Sequence, residues 1–187
     1  MSPTIIGIIV LAVLVLWIIA VYNGLIKLRN RTKEAWSDID VQLKRRHDLI
    51  PNLIESVKGF MKHERELLEN ITKARAGAME AQSAGNTPEL AKQEGVLGNL
   101  LGGLRIAMEA YPDIKANQNM AQLMDELSDT ENKIQASRRF YNGMVRDFNI
   151  KMETFPNNLI AGMLKFEKFA FFEIEDAAER QNVKVQF

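Results

Sequence analysis

Cysteine is missing from all 187 residues, which excludes a disulfide framework, thiolate zinc sites and thiol catalysis while leaving the compartment open. Net charge is missing as well. The 24 Lys and Arg balance 24 Asp and Glu, so no global field draws in nucleic acid or an acidic substrate, and no nucleic-acid partner is expected. Histidine is scarce, with only His47 and His63 available as imidazole bases or ligands. Most informative is the absence of any Lys, Arg, Asp or Glu before Lys27.

That charge-free stretch contains TIIGIIVLAVLVLWIIAVY, from Thr4 to Tyr22, almost wholly Ile, Leu, Val and Ala. At about 1.5 Å per residue it comes close to the roughly 30 Å hydrocarbon core of a bilayer, so it reads as a transmembrane helix with Trp17 and Tyr22 near its exit. A cleaved signal peptide fits less well, because the N-terminal region has no basic residue and no small-x-small site precedes the basic segment. Lys27, Arg29, Arg31 and Lys33 follow the span. By the positive-inside rule they place the N-terminus outside and the bulk of the chain in the cytoplasm, and they are candidates for contact with anionic lipid headgroups.

From Trp36 onward apolar positions step by three and four through Ile39, Leu43, Arg46, Ile50, Leu53, Val57, Phe60, Glu64, Leu67, Ile71, Ala74 and Ala78, a heptad seam that Ile54, Met61 and Leu68 widen. With no glycine or proline cluster to interrupt it, helix is expected from the membrane to about Gln82, bent at Pro51, where the carbonyl of His47 loses its usual donor. SAGNTPEL turns the chain, with Gly85 in the left-handed conformation, Thr87 as N-cap and Pro88 as first helical residue. A second helix carries Leu90, Leu97, Leu101, Leu104, Met108 and Tyr111 and stops before Pro112. Its Gly98, Gly102 and Gly103 suggest close approach of another helix backbone. A third runs from about Asn119 to Phe155, its seam including Met120, Leu127, Glu131, Ile134, Arg138, Tyr141 and Phe148. FPNN ends it, and NLIAGML forms a small helix.

The expected class is all-α: an N-terminal transmembrane helix continuing into an antiparallel three- or four-helix bundle with an aromatic C-terminal tail. The divisions are a short external N-terminus at 1–3, the span at 4–22, a basic juxtamembrane helix at 23–35, the bundle at 36–165 and the tail at 166–187.

Chemistry finds little support. His47 and His63 are sixteen residues apart on one expected helix, roughly 24 Å along its axis, which is too far for shared ligation. Neighbouring His47 and Asp48 point about 100° apart, and neither Glu-x-x-His pairs nor H-E-x-x-H occur, so both histidines are expected to be solvated or capping. No catalytic, cofactor-binding or metal residue is assigned. Charges on the seams need partners, because an unpaired buried charge is strongly disfavoured. Arg46, Glu64, Glu131 and Arg138 are therefore expected to set helix register, with Glu64 approaching Arg138. The tail's Phe166, Phe169, Phe171, Phe172, Ile174 and Phe187 are expected to pack back on the bundle, and the first five of these are also candidates for self-association.

The motifs AWSDIDVQLKRRHDLIPNLIESVKGFMKHE, AYPDIKANQNMAQLMDELSDTENKIQASRRFYN and VRDFN, followed by FPNNLIAGML and FFE, resemble the LemA family of bacterial membrane proteins, in the family's order and over nearly the whole chain. The resemblance implies a single-pass protein of the bacterial inner membrane with a cytoplasmic helical bundle, and it carries no agreed catalytic residues or molecular activity. KFEKFA departs from the Gly- and Pro-containing segment of relatives. The expectation is a non-enzymatic scaffold that meets membrane lipid, assembles as a homo-oligomer and contacts other membrane proteins. An adaptor for membrane proteolysis or envelope signalling is the alternative, and a metal-dependent enzyme near His47 or His63 is less favoured.

Overall fold

A computed structural model describes residues 2–61, 63–115 and 117–173. Its regular structure is helical, and no strand occurs among the described residues. The elements are α1 (Pro3–Lys58), α2 (Arg65–Ser83), α3 (Thr87–Ala107, tightening into a 3₁₀ turn at Met108–Ala110), α4 (Pro112–Lys115), α5 (Gln118–Glu153) and α6 (Asn157–Met163). The all-α class is as expected, and Ile174 and Phe187 lie outside the described residues.

The first 18-residue apolar window of α1 has a mean hydropathy of 3.2 and is only 6% buried, so this is not the core helix of a bundle. One N-terminal helix is thus long and apolar enough to serve as a single membrane anchor.

The expectation of unbroken helix to Gln82 is corrected. α1 stops at Lys58, and the chain leaves it in a turn at Gly59 and Phe60, with Phe60 and Met61 amides both donating to the Val57 carbonyl at 3.0 and 2.9 Å. α2 then runs back along α1: Arg75 reaches His47, and Gln82 Nε2 donates to Asp40 Oδ1 at 2.6 Å. The turn is invisible to periodicity because the three-four stepping stays in phase across it. Phe60 is exposed while Met61 is buried and closes the end of the core, which reverses their expected weights. The reversal lets Leu68, Ile71 and Ala74 of α2 share one core with Ile50, Leu53 and Val57 of α1.

The described residues form two compact units. One combines 40–136 with 171–173. Here the end of α1, α2, α3 and the start of α5 enclose Ile50, Leu53, Val57, Ile71, Leu97, Leu104, Ile114 and Leu127. α3 returns against α2, with Gly77 beside Gln93 and Gly103 beside Leu67. Gly85 takes a φ of 65° as expected, but the cap is Asn86, whose Oδ1 accepts from the Glu89 amide at 3.2 Å, so Thr87 is already helical. The other unit combines 2–39 with 137–170. In it the second half of α5 runs antiparallel to α1: buried Thr32 donates to the Met144 carbonyl at 3.4 Å, and the Trp36 and Tyr141 rings lie 5.2 Å apart. Val21, Leu25, Phe148, Met152, Ile160 and Ala161 form its core.

Candidate functional site

The charges placed on apolar seams converge in the first unit. Arg46 falls on α1 between Leu43 and Ile50, one helical turn from each, so the core face of the helix carries it inward and only 2% of it is exposed. Its Nη1 donates to Glu94 Oε2 at 2.8 Å from α3, and its Nη2 pairs with Glu131 Oε2 from α5. Gly98, one turn beyond Glu94, leaves room for the guanidinium: a Cβ there would stand 3.4 Å from Nη2. The compensation for this glycine is an arginine side chain and not the close helix backbone expected from sequence.

His47 is corrected more strongly. It is 2% exposed, neither solvated nor capping, and its Nε2 lies 2.6 Å from the second oxygen of Glu94. Asp48 faces solvent, so the adjacent acid is indeed not its partner. His63 is exposed in the turn between α1 and α2. Glu94 thus uses both carboxyl oxygens on two neighbouring α1 side chains: Oε2 accepts from Arg46, and the roles of Oε1 and His47 Nε2 follow the tautomer of the imidazole.

The backbone below this cluster is completed by α2. Pro51 has no N–H to give the carbonyl of His47, and the expected orphan is filled by Arg75 Nε, which donates to that oxygen at 2.7 Å. Around the rim, Arg45 lies 3.9 Å from Glu126 and 4.0 Å from Asp129, while Lys133 bonds Asp129 at 2.8 Å and holds its carboxyl below the usual range. These exposed pairs are screened and weak. The inner ones are not: the side chains of Arg46, His47 and Glu94 are 3%, 3% and 1% exposed, against 39% for Glu131.

Sequence reasoning missed Glu94 and His47, although both left signals. Glu94 occupies the seam position between Leu90 and Leu97, and His47 stands seven residues before Ile54, at the head of the stripe that widens the α1 core face. The anticipated Glu64–Arg138 approach presupposed one helix through both Arg46 and Glu64. Glu64 instead lies in the reversal, and neither residue forms an ion pair among the described residues. Arg46 and Glu131 are the members of the expected register set that meet.

In the second unit the tail is held in place by α5. Phe166 and Phe169 pack on Phe148 with ring centroids 6.3 and 5.2 Å away, and Asn149 pairs with the Phe169 backbone in both directions, its Nδ2 donating at 3.1 Å and its Oδ1 accepting at 3.2 Å. Tyr141 donates to the Ala170 carbonyl at 2.9 Å, and burial pushes this phenol up to about 12. Phe172, which belongs to the first unit, is buried as well. Packing within the chain engages Phe166 and Phe169, both half-buried, and covers Phe172, while Phe171 remains exposed. Lys27, Arg29, Arg31 and Lys33 are all exposed, with the Arg29 guanidinium 6.0 Å from the Phe166 ring centroid.

Comparison with known proteins agrees with the motifs. A family model described as the LemA family matches residues 35–187. Protein LemA of Metamycoplasma hominis is 31% identical over 163 residues, covering 87% of this chain and 72% of the relative. Magnetosome protein MamQ of Magnetospirillum gryphiswaldense is 22% identical over 181 residues, covering 84% of this chain and 66% of the relative. Two MamQ magnetosome proteins of Paramagnetospirillum magneticum are each 24% identical with the same coverage. This membrane-associated, all-helical chain belongs to the LemA family.

Proposed function

We propose that this protein is a non-enzymatic scaffold, anchored in the bacterial inner membrane by α1 with its N-terminus outside, that works through protein contacts and assembles as a homo-oligomer. The observation that carries this reading is how the ionisable side chains best suited to chemistry are used. Arg46, His47 and Glu94 are buried and bonded to one another across α1 and α3, with Glu131 joining from α5, which suits them to fixing helix register. A bundle whose register is fixed presents the same outer surface in every copy. Confinement of such copies to one membrane raises their effective concentration, so modest surface contacts suffice for assembly.

Native mass measurement of the full chain released from membranes in lipid nanodiscs, alongside in-cell crosslinking, tests the reading. Discrete multimers and self-crosslinks are expected. A strict monomer in nanodiscs with no self-crosslink would remove the oligomer claim. Stoichiometric metal in the purified protein, lost on His47→Ala or His63→Ala, would overturn the non-enzymatic reading in favour of a metal site.

A further inference from the structure

α6 is amphipathic, and its two faces meet different surroundings. Ile160 and Ala161 are buried against Val21 and Leu25, with Ile18 packed alongside, so α6 is clamped to the last turns of the apolar span. Its other face is bare: Leu159 is 55% exposed and Met163 80%, flanked by Phe155 at 75% and Leu164 at 51%. Four large apolar side chains within ten residues are an unusual exposed patch for water.

Its position beside the anchor identifies what covers it. The Lys151 side chain lies 3.9 Å from where a Cβ on Gly24 would stand, and the antiparallel course of α5 carries its last two residues, to Glu153, about 3 Å further toward the span. Beyond that end, Ile160 and Ala161 share a core with Val21 and Leu25, with Ile18 against it, which sets α6 beside the Trp17–Tyr22 segment, where the interfacial aromatics of the anchor leave the bilayer. The surrounding charge suits an anionic leaflet: Lys27, Arg29 and Lys165 are exposed nearby in the chain or fold, Lys168 is paired with Glu153, and Glu167 is the remaining acid of the segment.

We propose that Phe155, Leu159, Met163 and Leu164 form a second membrane contact, an edge that dips into the headgroup–acyl boundary beside the transmembrane helix, so that lipid covers this face of α6. The span and this edge together grip the membrane at two points and restrict rotation of the anchor about its own axis. The proposal rests on the span crossing a bilayer, so its test reports on that premise separately.

The absence of cysteine makes the test direct. Single-cysteine variants of the full chain, Leu159→Cys and Met163→Cys, are labelled with a nitroxide and reconstituted in phosphatidylcholine–phosphatidylglycerol vesicles. Val13→Cys in the span and Ile106→Cys on α3 serve as controls, both native side chains being exposed. Collision with oxygen, which partitions into lipid, is compared with collision with a water-soluble nickel chelate. Labels at 159 and 163 are expected to shift toward oxygen, as at 13, while 106 favours nickel. A nickel preference at 159 and 163 with a lipid signal at 13 overturns the proposal and leaves the anchor standing. Shielding from both reagents also overturns it, since protein then covers the face; a nickel preference at 13 overturns the anchor itself.

Discussion

Replacing Glu94 by alanine removes the one fully buried carboxylate from a cluster holding a buried arginine. Arg46 keeps Glu131, but that partner is 39% exposed and partly solvated, and His47 loses the oxygen 2.6 Å from its Nε2. Breaking a buried pair by deleting one member costs about 3–5 kcal/mol, because the other charge stays desolvated. Glu131→Ala leaves Arg46 bonded to Glu94, and water replaces the half-exposed oxygen, so its cost is about 1 kcal/mol. Urea unfolding of the full chain in mild detergent, followed by circular dichroism at 222 nm, reads the difference at constant m. At roughly 2–4 °C per kcal/mol for a chain of this size, the melting temperature falls by about 6–20 °C for Glu94→Ala and by a few degrees for Glu131→Ala. The combined Arg46→Met/Glu94→Met variant is expected to be more stable than Glu94→Ala, since an apolar pair removes the stranded charge along with its partner. Equal losses for Glu94→Ala and Glu131→Ala, or a double variant weaker than Glu94→Ala, would refute the claim that Glu94 is the required counter-ion.

Other outcomes follow from single features. Arg75→Met strands the His47 carbonyl above Pro51 and costs about 1–3 kcal/mol; in a Pro51→Ala background the restored amide takes that bond, and a double-mutant cycle by urea unfolding reads a smaller loss. Gly102 has open space where a Cβ would stand, so Gly102→Ala stabilises α3 by about 0.5–1 kcal/mol, whereas Gly85→Ala, at a φ of 65°, costs about 1 kcal/mol in the same assay. Tyr141 has its folded pKa raised above the unfolded value near 10. The stability it contributes is complete below about pH 10 and is lost as pH rises toward about 12, so Tyr141→Phe flattens the alkaline decline of unfolding free energy. An unchanged slope in that variant would show that other groups drive the decline.

The residues of the candidate site differ in how far sequence could expose them. Arg46 was recognisable as a seam charge in need of a partner, because a 3.6-residue period places it among Leu43, Ile50 and Leu53 whatever lies opposite. Its partner was not recognisable, since Glu64, Glu94 and Glu131 all sit at seam positions and periodicity says nothing about which helix level faces which. His47 shows the same limit in another form: one residue off the seam is exposed beside a narrow interface and buried in a bundle with neighbours on two sides.

What the amino-acid sequence determined by itself was local and periodic. It specified the apolar anchor, the helical class, the left-handed Gly85 turn, the stop at Pro156 and the deprived carbonyl above Pro51, each through a preference that acts within a few residues. The tertiary structure alone decided the reversal between α1 and α2, the meeting of Arg46 with Glu94 and Glu131, and the bond from Arg75 to the His47 carbonyl. Those depend on which helices lie side by side and in what register, and that choice follows from burying several stripes at once, a condition no single stripe contains.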